Sequence, residues 1–237
     1  MNGLWQEFLS LFLTHPCPLC QRSSSRPLCP SCEAQLQQCR FSPQRSQQEW
    51  HTDLPLLAWG HYDDVLKRSI ASLKYDKQTQ LALVLGRWMA ETWQQTQAKR
   101  SSIAADSDRR RLTVVPIPLH ASKLQQRGFN QAALLAQVFC RYTGLPCVET
   151  GLLRVRATEA QFGLSKQARL ANVTDAFQVS PALHRRRDKI KVLLLDDIFT
   201  TGATARSAQQ ALQQAQISVY GMVTLARAGQ SESRPLK

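Results

Sequence analysis

Hydrophobic positions along this chain switch repeatedly between a period of two and a period near 3.6, and the switches lay out an alternation of strands and helices. Residues 56–62 read as a strand. Val65, Leu66, Ile70 and Leu73 follow with helical spacing, and residues 81–93 continue as a second helix. Residues 112–117 form a short β-branched run stopped by Pro116 and Pro118. A helix over residues 131–142 carries Leu134, Leu135, Val138 and Phe139 on one face, and residues 145–153 read as another strand. Residues 154–175 have little periodicity before a short strand at 176–179, and a long irregular stretch of this kind suits a lid or a linker. Hydrophobic strands at residues 190–195 and 217–225 flank a helix that opens at Ala203 and runs to Gln214. Strands alternating with helices predict an α/β fold: a parallel sheet covered on both faces, with ligands at the carboxyl ends of its strands.

The most informative junction is the one between strand and helix at residues 192–204. Val192, Leu193, Leu194 and Leu195 run directly into Asp196 and Asp197, and Thr200, Thr201, Gly202, Ala203 and Thr204 then open the helix. A strand, a tight loop and a helix start expose backbone N–H groups and a positive helix end to an anion. Gly202 admits a positive φ and a close backbone approach, while the flanking hydroxyls add donors without filling the space. Carboxylates do not bind phosphate, so the acid pair calls for sugar hydroxyls, a divalent metal, or both on the same ligand. A phosphorylated sugar meets that description. Neighbouring residues of a strand point to opposite faces, so both acids reach one sugar only where the strand ends near Asp196 and the chain turns.

This junction resembles the binding signature of type I phosphoribosyltransferases, whose shared donor is phosphoribosyl pyrophosphate (PRPP). Three further stretches narrow the resemblance to the ComF/GntX family: Val114-Val115-Pro116-Ile117-Pro118-Leu119-His120, then Arg127-Gly128-Phe129-Asn130-Gln131, then Gln161 with Leu164, Arg169 and Asn172. That family joins a cysteine-rich zinc module to a phosphoribosyltransferase domain and is associated with DNA uptake or utilisation. The resemblance implies a Mg²⁺-dependent, PRPP-binding phosphoribosyltransferase-like protein. Asp196 and Asp197 would hold the ribose hydroxyls, and residues 200–204 would wrap the 5′-phosphate. Residues 118–128 would take the place of the pyrophosphate loop, with His120, Lys123 and Arg127 as cations and Arg127 as the first choice. Lys74 lies in another family-like stretch. Residues 154–172 correspond to the mobile loop that closes over the donor, with Arg156, Gln161, Lys166 and Arg169 as candidates. Arg127, Arg156 and Arg169 are thus the expected catalytic cations. Phosphoribosyl transfer requires no protein nucleophile, which agrees with a chain showing no convincing Ser/His/Asp or Cys/His set.

Seven cysteines call for separate chemistry. Cys17 with Cys20, and after eight residues Cys29 with Cys32, form two CxxC knuckles that together supply the tetrahedral thiolate shell Zn²⁺ prefers. A redox CxxC competes weakly, because there are two copies and no neighbouring thioredoxin-type βαβ pattern, and His15 is a substitute ligand for a shell four thiolates already fill. Relatives in the family often carry a second knuckle pair; here only Cys39 remains. Cys140 and Cys147 read as small hydrophobes.

The expected organisation is a helix and a four-cysteine zinc module over residues 1–50, a phosphoribosyltransferase-like domain over 51–230, and a tail over 231–237. Residues 5–13 are apolar with helical spacing, too short for a spanning helix of ~20 residues and without the basic start of a signal peptide. The expectation is a cytoplasmic protein with no membrane insertion. A formal charge of +13 suits a polyanion, whether PRPP or nucleic acid. The runs Arg109-Arg110-Arg111 and Arg185-Arg186-Arg187 are solvated loops by default and, given the family's association, candidate contacts for single-stranded DNA. No G-x-x-x-x-G-K-[ST] loop occurs, which argues against a P-loop hydrolase. The alternative to an enzyme is a non-catalytic accessory protein of the DNA uptake machinery that binds PRPP and single-stranded DNA.

Overall fold

In the computed structural model, residues 14–42, 53–100, 111–156 and 176–229 are described. Expectations for the helix at 5–13, the loop at 44–50, Arg109 and Arg110, the segment holding Gln161, Leu164, Lys166, Arg169 and Asn172, and the tail at 231–237 lie outside these residues. In chain order the elements are β1 (His15–Pro16), β2 (Ser23–Ser24), α1 (Pro30–Gln37), β3 (Leu56–His61), α2 (Asp64–Tyr75), α3 (Leu81–Arg100), β4 (Leu112–Pro116), α4 (Ala121–Arg127) and α5 (Gln131–Thr143). They continue with β5 (Leu152–Arg154), β6 (Phe177–Val179), α6 (Pro181–His184), β7 (Lys191–Phe199), α7 (Ala203–Gln214) and β8 (Ser218–Arg227).

The four apolar strands pair into one parallel sheet in the order β3-β8-β7-β4, flanked by helices as the alternation predicts. Odd-numbered residues of β7, Leu193 and Leu195, face one layer together with Val223 and Leu225 of β8. There they meet Leu66, Ile70 and Leu73 of α2, Leu85 and Met89 of α3 and Leu135 and Phe139 of α5. Even-numbered Val192 and Leu194 face the other layer with Val115 and Met222, against Ala205, Ala208 and Leu212 of α7 and Leu183 of α6. Trp59 of β3 stacks on Trp88 of α3 with ring centroids 5.2 Å apart. A strand buried on both sides needs apolar residues throughout, which is why β7 begins as an uninterrupted hydrophobic run.

One expected element takes a different form. Residues 145–153 do not make a continuous strand: Cys147 forms a single parallel bridge to Val114, a turn follows at residues 149–150, and β5 pairs antiparallel with β6 outside the main sheet. Pro146 has no N–H to donate and the turn breaks the run, so its apolar residues divide between sheet edge and hairpin.

The cysteine segment packs on the same body. Leu28 and Leu36 share a core with Trp59 and Leu66. Past α1 the backbone runs antiparallel to β3, with Arg40 bridged to Gly60, the His61 N–H donating to the Cys39 carbonyl at 2.8 Å and the Phe41 N–H to the Trp59 carbonyl at 2.9 Å. A Cβ on Gly60 would stand 2.5 Å from the Cys39 carbonyl oxygen. Gly60→Ala is therefore expected to lower unfolding free energy by about 1–3 kcal/mol, read from urea denaturation followed by tryptophan fluorescence.

Candidate functional site

Asp196 and Asp197 lie on opposite sides of β7, because the strand does not end between them. Pairing with β8 continues through Asp196 with Thr224, Ile198 with Ala226 and Phe199 with Arg227. Each acid consequently meets a different layer, yet the two stay in contact: the Asp197 N–H donates to Asp196 Oδ1 at 2.8 Å.

Asp197 enters the layer of α2 and α5 and is 4% exposed. Its Oδ2 is ion-paired with Lys74 Nζ, and its Oδ1 accepts from Gln131 Nε2 at 3.4 Å. Gln131 in turn accepts from Arg127 Nη1 through Oε1, and the Arg127 guanidinium lies over the Tyr75 ring, 5.3 Å from its centroid. Burial opposes ionisation of Asp197, but the Lys74 ammonium and hydrogen bonds from Lys74, Asp196 and Gln131 outweigh it and hold the carboxyl below its usual range. Asp196 responds in the opposite direction: burial, then the Asp197 charge beside it, raise its carboxyl well above the usual range. The two neighbouring acids are thus driven apart, Asp197 toward the charged form and Asp196 toward the neutral one.

Asp196 faces the layer of α7, where it lines a small hollow with Phe199, Thr200, Gly202, Thr204 and Met222. Gly202 has φ +74° and leads into α7, whose first N–H groups face the loop. A Cβ there would meet the Phe199 ring at 2.7 Å and Arg206 Nη1 at 2.9 Å. Thr201 Oγ1 accepts from the Ala203 N–H at 3.4 Å, and Arg206 Nη2 donates to the Thr201 carbonyl at 2.7 Å. Glycine at this position brings the start of α7 to the edge of the hollow that Thr200, Gly202 and Thr204 line.

The remaining cations arrive from the turn after β4 and from β5. Residues 121–127 of the expected pyrophosphate loop are helical, with His120 capping α4 by accepting from the Ser122 N–H and Gly128 at φ +84° ending it. His120 is engaged in this local cap, while Lys123 and Arg127 lie along the helix. The Lys123 ammonium is pushed below its ordinary range by burial and then by the charges of Arg154, Arg127 and Lys74, so these four side chains are electrostatic neighbours. Burial lowers Arg154 as well, against the attraction of Asp196. Arg154 is held there by the bridge between its backbone and His120 and by its position over the Phe177 ring, 5.5 Å from the centroid. Arg156 is exposed just beyond β5, and Arg169 lies outside the described residues.

Sequence reasoning singles out Lys74, Lys123 and Arg127 but passes over Arg154, Arg206 and the linking role of Gln131. An arginine closing an apolar strand pattern was the available signal for Arg154. The contact of Gln131 with Asp197 spans 66 residues and has no local signature.

The second constellation is the cysteine cluster. Sγ atoms of Cys17, Cys20, Cys29 and Cys32 all lie within 4.8 Å of one another, a donor set that suits a tetrahedral thiolate site for a metal such as zinc. Cys17 closes the first knuckle with its carbonyl accepting from the Gln21 N–H at 2.8 Å. Cys29 caps α1, its Sγ accepting from the Cys32 N–H at 3.5 Å. Burial disfavours a Cys17 thiolate, but the N–H groups of Cys29, Leu19 and Cys20 overcome it and bring the thiol to about 6. His15 is exposed on β1.

At the opposite, amino-terminal end of the sheet, Arg111 packs on the turn after the second basic run. Arg111 precedes β4 and donates through Nη2 to the Asp188 carbonyl and through Nε to the Lys189 carbonyl, in the turn that follows Arg185-Arg186-Arg187. Among the described residues, no helix is long and apolar enough to cross a membrane.

No protein-family model matches the chain. It is similar to competence protein F of Haemophilus influenzae, 28% identical over 214 residues that cover 90% of each chain. DNA utilization protein YhgH of Salmonella typhimurium is 27% identical over 88% of this chain and 89% of its own. Competence protein ComFC of Bacillus subtilis is 27% identical over 84% of this chain and 71% of its own.

Proposed function

This chain belongs to the ComF family, and from that premise we propose that it is a PRPP-binding, Mg²⁺-dependent phosphoribosyltransferase-like protein serving DNA uptake or utilisation. One observation carries the reading: a glycine turn at a helix start, an acid pair and four cations gather at the carboxyl end of one parallel sheet. A ligand with phosphate at one end, hydroxyls in the middle and a polyanion at the other matches that sequence of groups. N–H groups of residues 201–204 would take the 5′-phosphate, Asp196 would accept from the ribose hydroxyls, and Asp197, on the opposite side of β7, would act through its contact with Asp196. Lys123, Arg127 and Arg154 would oppose the pyrophosphate charge as it grows during departure. Mg²⁺, bound with the donor, supplies further neutralisation of the leaving group. A nitrogen acceptor forms the new bond at the anomeric carbon as the bond to pyrophosphate oxygen breaks.

The reading is tested by titration calorimetry with PRPP and Mg²⁺, followed by pyrophosphate-release assays across purine, pyrimidine and amine acceptors. Saturable binding with release in the presence of one acceptor is the expected result; no binding to any phosphorylated ribose overturns it. The contact of Arg111 with the turn after Arg185-Arg186-Arg187 favours a second reading, a non-catalytic accessory protein that holds PRPP and single-stranded DNA. That reading predicts donor binding without release, together with DNA binding that weakens steeply with salt.

A further inference from the structure

The tip of α2 touches both functional halves of the acid-pair site through consecutive residues. Lys74 is ion-paired with Asp197, and Tyr75 carries the Arg127 guanidinium over its ring. Between those two contacts, Gln131 of α5 donates to Asp197 and accepts from Arg127. Lys74, Asp197, Gln131, Arg127 and Tyr75 thus close a ring that the backbone between residues 74 and 75 completes. It draws on three helices and one strand.

Helical spacing explains why a lysine reaches this place. Ile70 and Leu73 of α2 are fully buried, and Lys74, one turn beyond Ile70, lies at the edge of the same face. Its side chain is 16% exposed and the Asp197 carboxylate 5%. Ion pairs at such depth lose much of their Coulombic gain to desolvation, so an apolar pair at positions 74 and 197 would serve packing as well or better. What the lysine adds is direction: an ionised carboxylate aimed at a defined point beside Asp196, in a field shared with Lys123, Arg127 and Arg154.

We propose that the tip of α2 is the positioning element of the site, with Lys74 holding Asp197 and Tyr75 holding Arg127 in the geometry that receives the donor. The inference rests on the PRPP reading and assigns Lys74 a role exerted through Asp197, without contact to the ligand. Titration calorimetry with PRPP and Mg²⁺ on the full chain tests it with Lys74→Met, Lys74→Arg, Asp197→Asn and the double variant Lys74→Met/Asp197→Asn, each checked for melting temperature. The expected results are a dissociation constant raised at least tenfold in K74M, recovery to within about threefold of wild type in K74R, and little further loss when K74M is added to D197N. Tyr75→Leu is expected to weaken binding severalfold with an unchanged melting temperature.

Unchanged affinity in folded K74M overturns the inference while leaving the PRPP reading standing. So does a full additional loss in the double variant, which would place Lys74 on the ligand itself. If K74M fails to fold, K74R against D197N decides: wild-type-like affinity in K74R supports the role, and a loss in K74R comparable to that in D197N removes it. Wild-type protein that does not bind PRPP removes both readings together.

Discussion

Replacing Asp196 and Asp197 together with asparagine is expected to weaken PRPP binding by roughly 10²–10⁴-fold, since hydrogen bonds to charged groups contribute about 1.5–3 kcal/mol each. Asparagine preserves size and one acceptor oxygen, so the packing of β7 changes little while the charge disappears. The single variants are expected to differ. Asp197→Asn leaves the Lys74 ammonium, on a side chain 16% exposed, without its counter-charge and carries a stability cost of about 3–5 kcal/mol. Asp196→Asn removes a carboxyl whose ionisation burial and the neighbouring Asp197 already oppose, and its stability effect is expected to be small. Calorimetric titration of the three variants, with melting temperatures alongside, measures both quantities. Donor affinity unchanged in the double variant would end the phosphoribosyl reading.

Removal of the metal is expected to have the largest effect on stability. Purified protein should carry about one zinc per chain, and stripping it should unfold the cysteine module, since four thiols this close have no apolar substitute for a central cation. α1 is only eight residues long and cannot persist alone. Module and sheet share one core through Leu28, Leu36, Trp59 and Leu66, so the loss propagates, with a fall in melting temperature of at least about 10 °C from the several kcal/mol at stake. Cys17→Ser and Cys32→Ser should behave like the stripped protein, whereas Cys39→Ser should keep its metal. Metal content by mass spectrometry and melting followed by circular dichroism check the set. A metal-free preparation with unchanged melting would refute the structural role.

Linkage gives the acid pair opposite pH signatures. The lowered Asp197 carboxyl contributes stability that is present above the ordinary carboxylate range and lost as pH falls through its folded value. The raised Asp196 carboxyl contributes stability that is present below that range and lost as pH rises through its own folded value. Denaturation curves of D197N should therefore lack the acid-side decline, and those of D196N should lack the loss at higher pH.

The hydrophobic spacing alone determined the alternation of strands and helices, the parallel sheet, the helix from Ala203 to Gln214 and the glycine turn before it, because these follow from period, capping and φ preferences within a few residues. The two CxxC knuckles were legible for the same reason: each is a local turn, and their convergence needs only one metal-sized shell. Tertiary structure alone decided which face each acid takes, because that depends on where pairing between β7 and β8 stops. It also decided how Lys74, Gln131, Arg127 and Arg154 come together, and that Arg111 packs on the turn at residues 188–189. The contacts of Lys74 and Gln131 with Asp197 and of Arg111 with Lys189 join residues 66 to 123 positions apart, and nothing in a residue's own neighbourhood along the chain encodes a partner so distant.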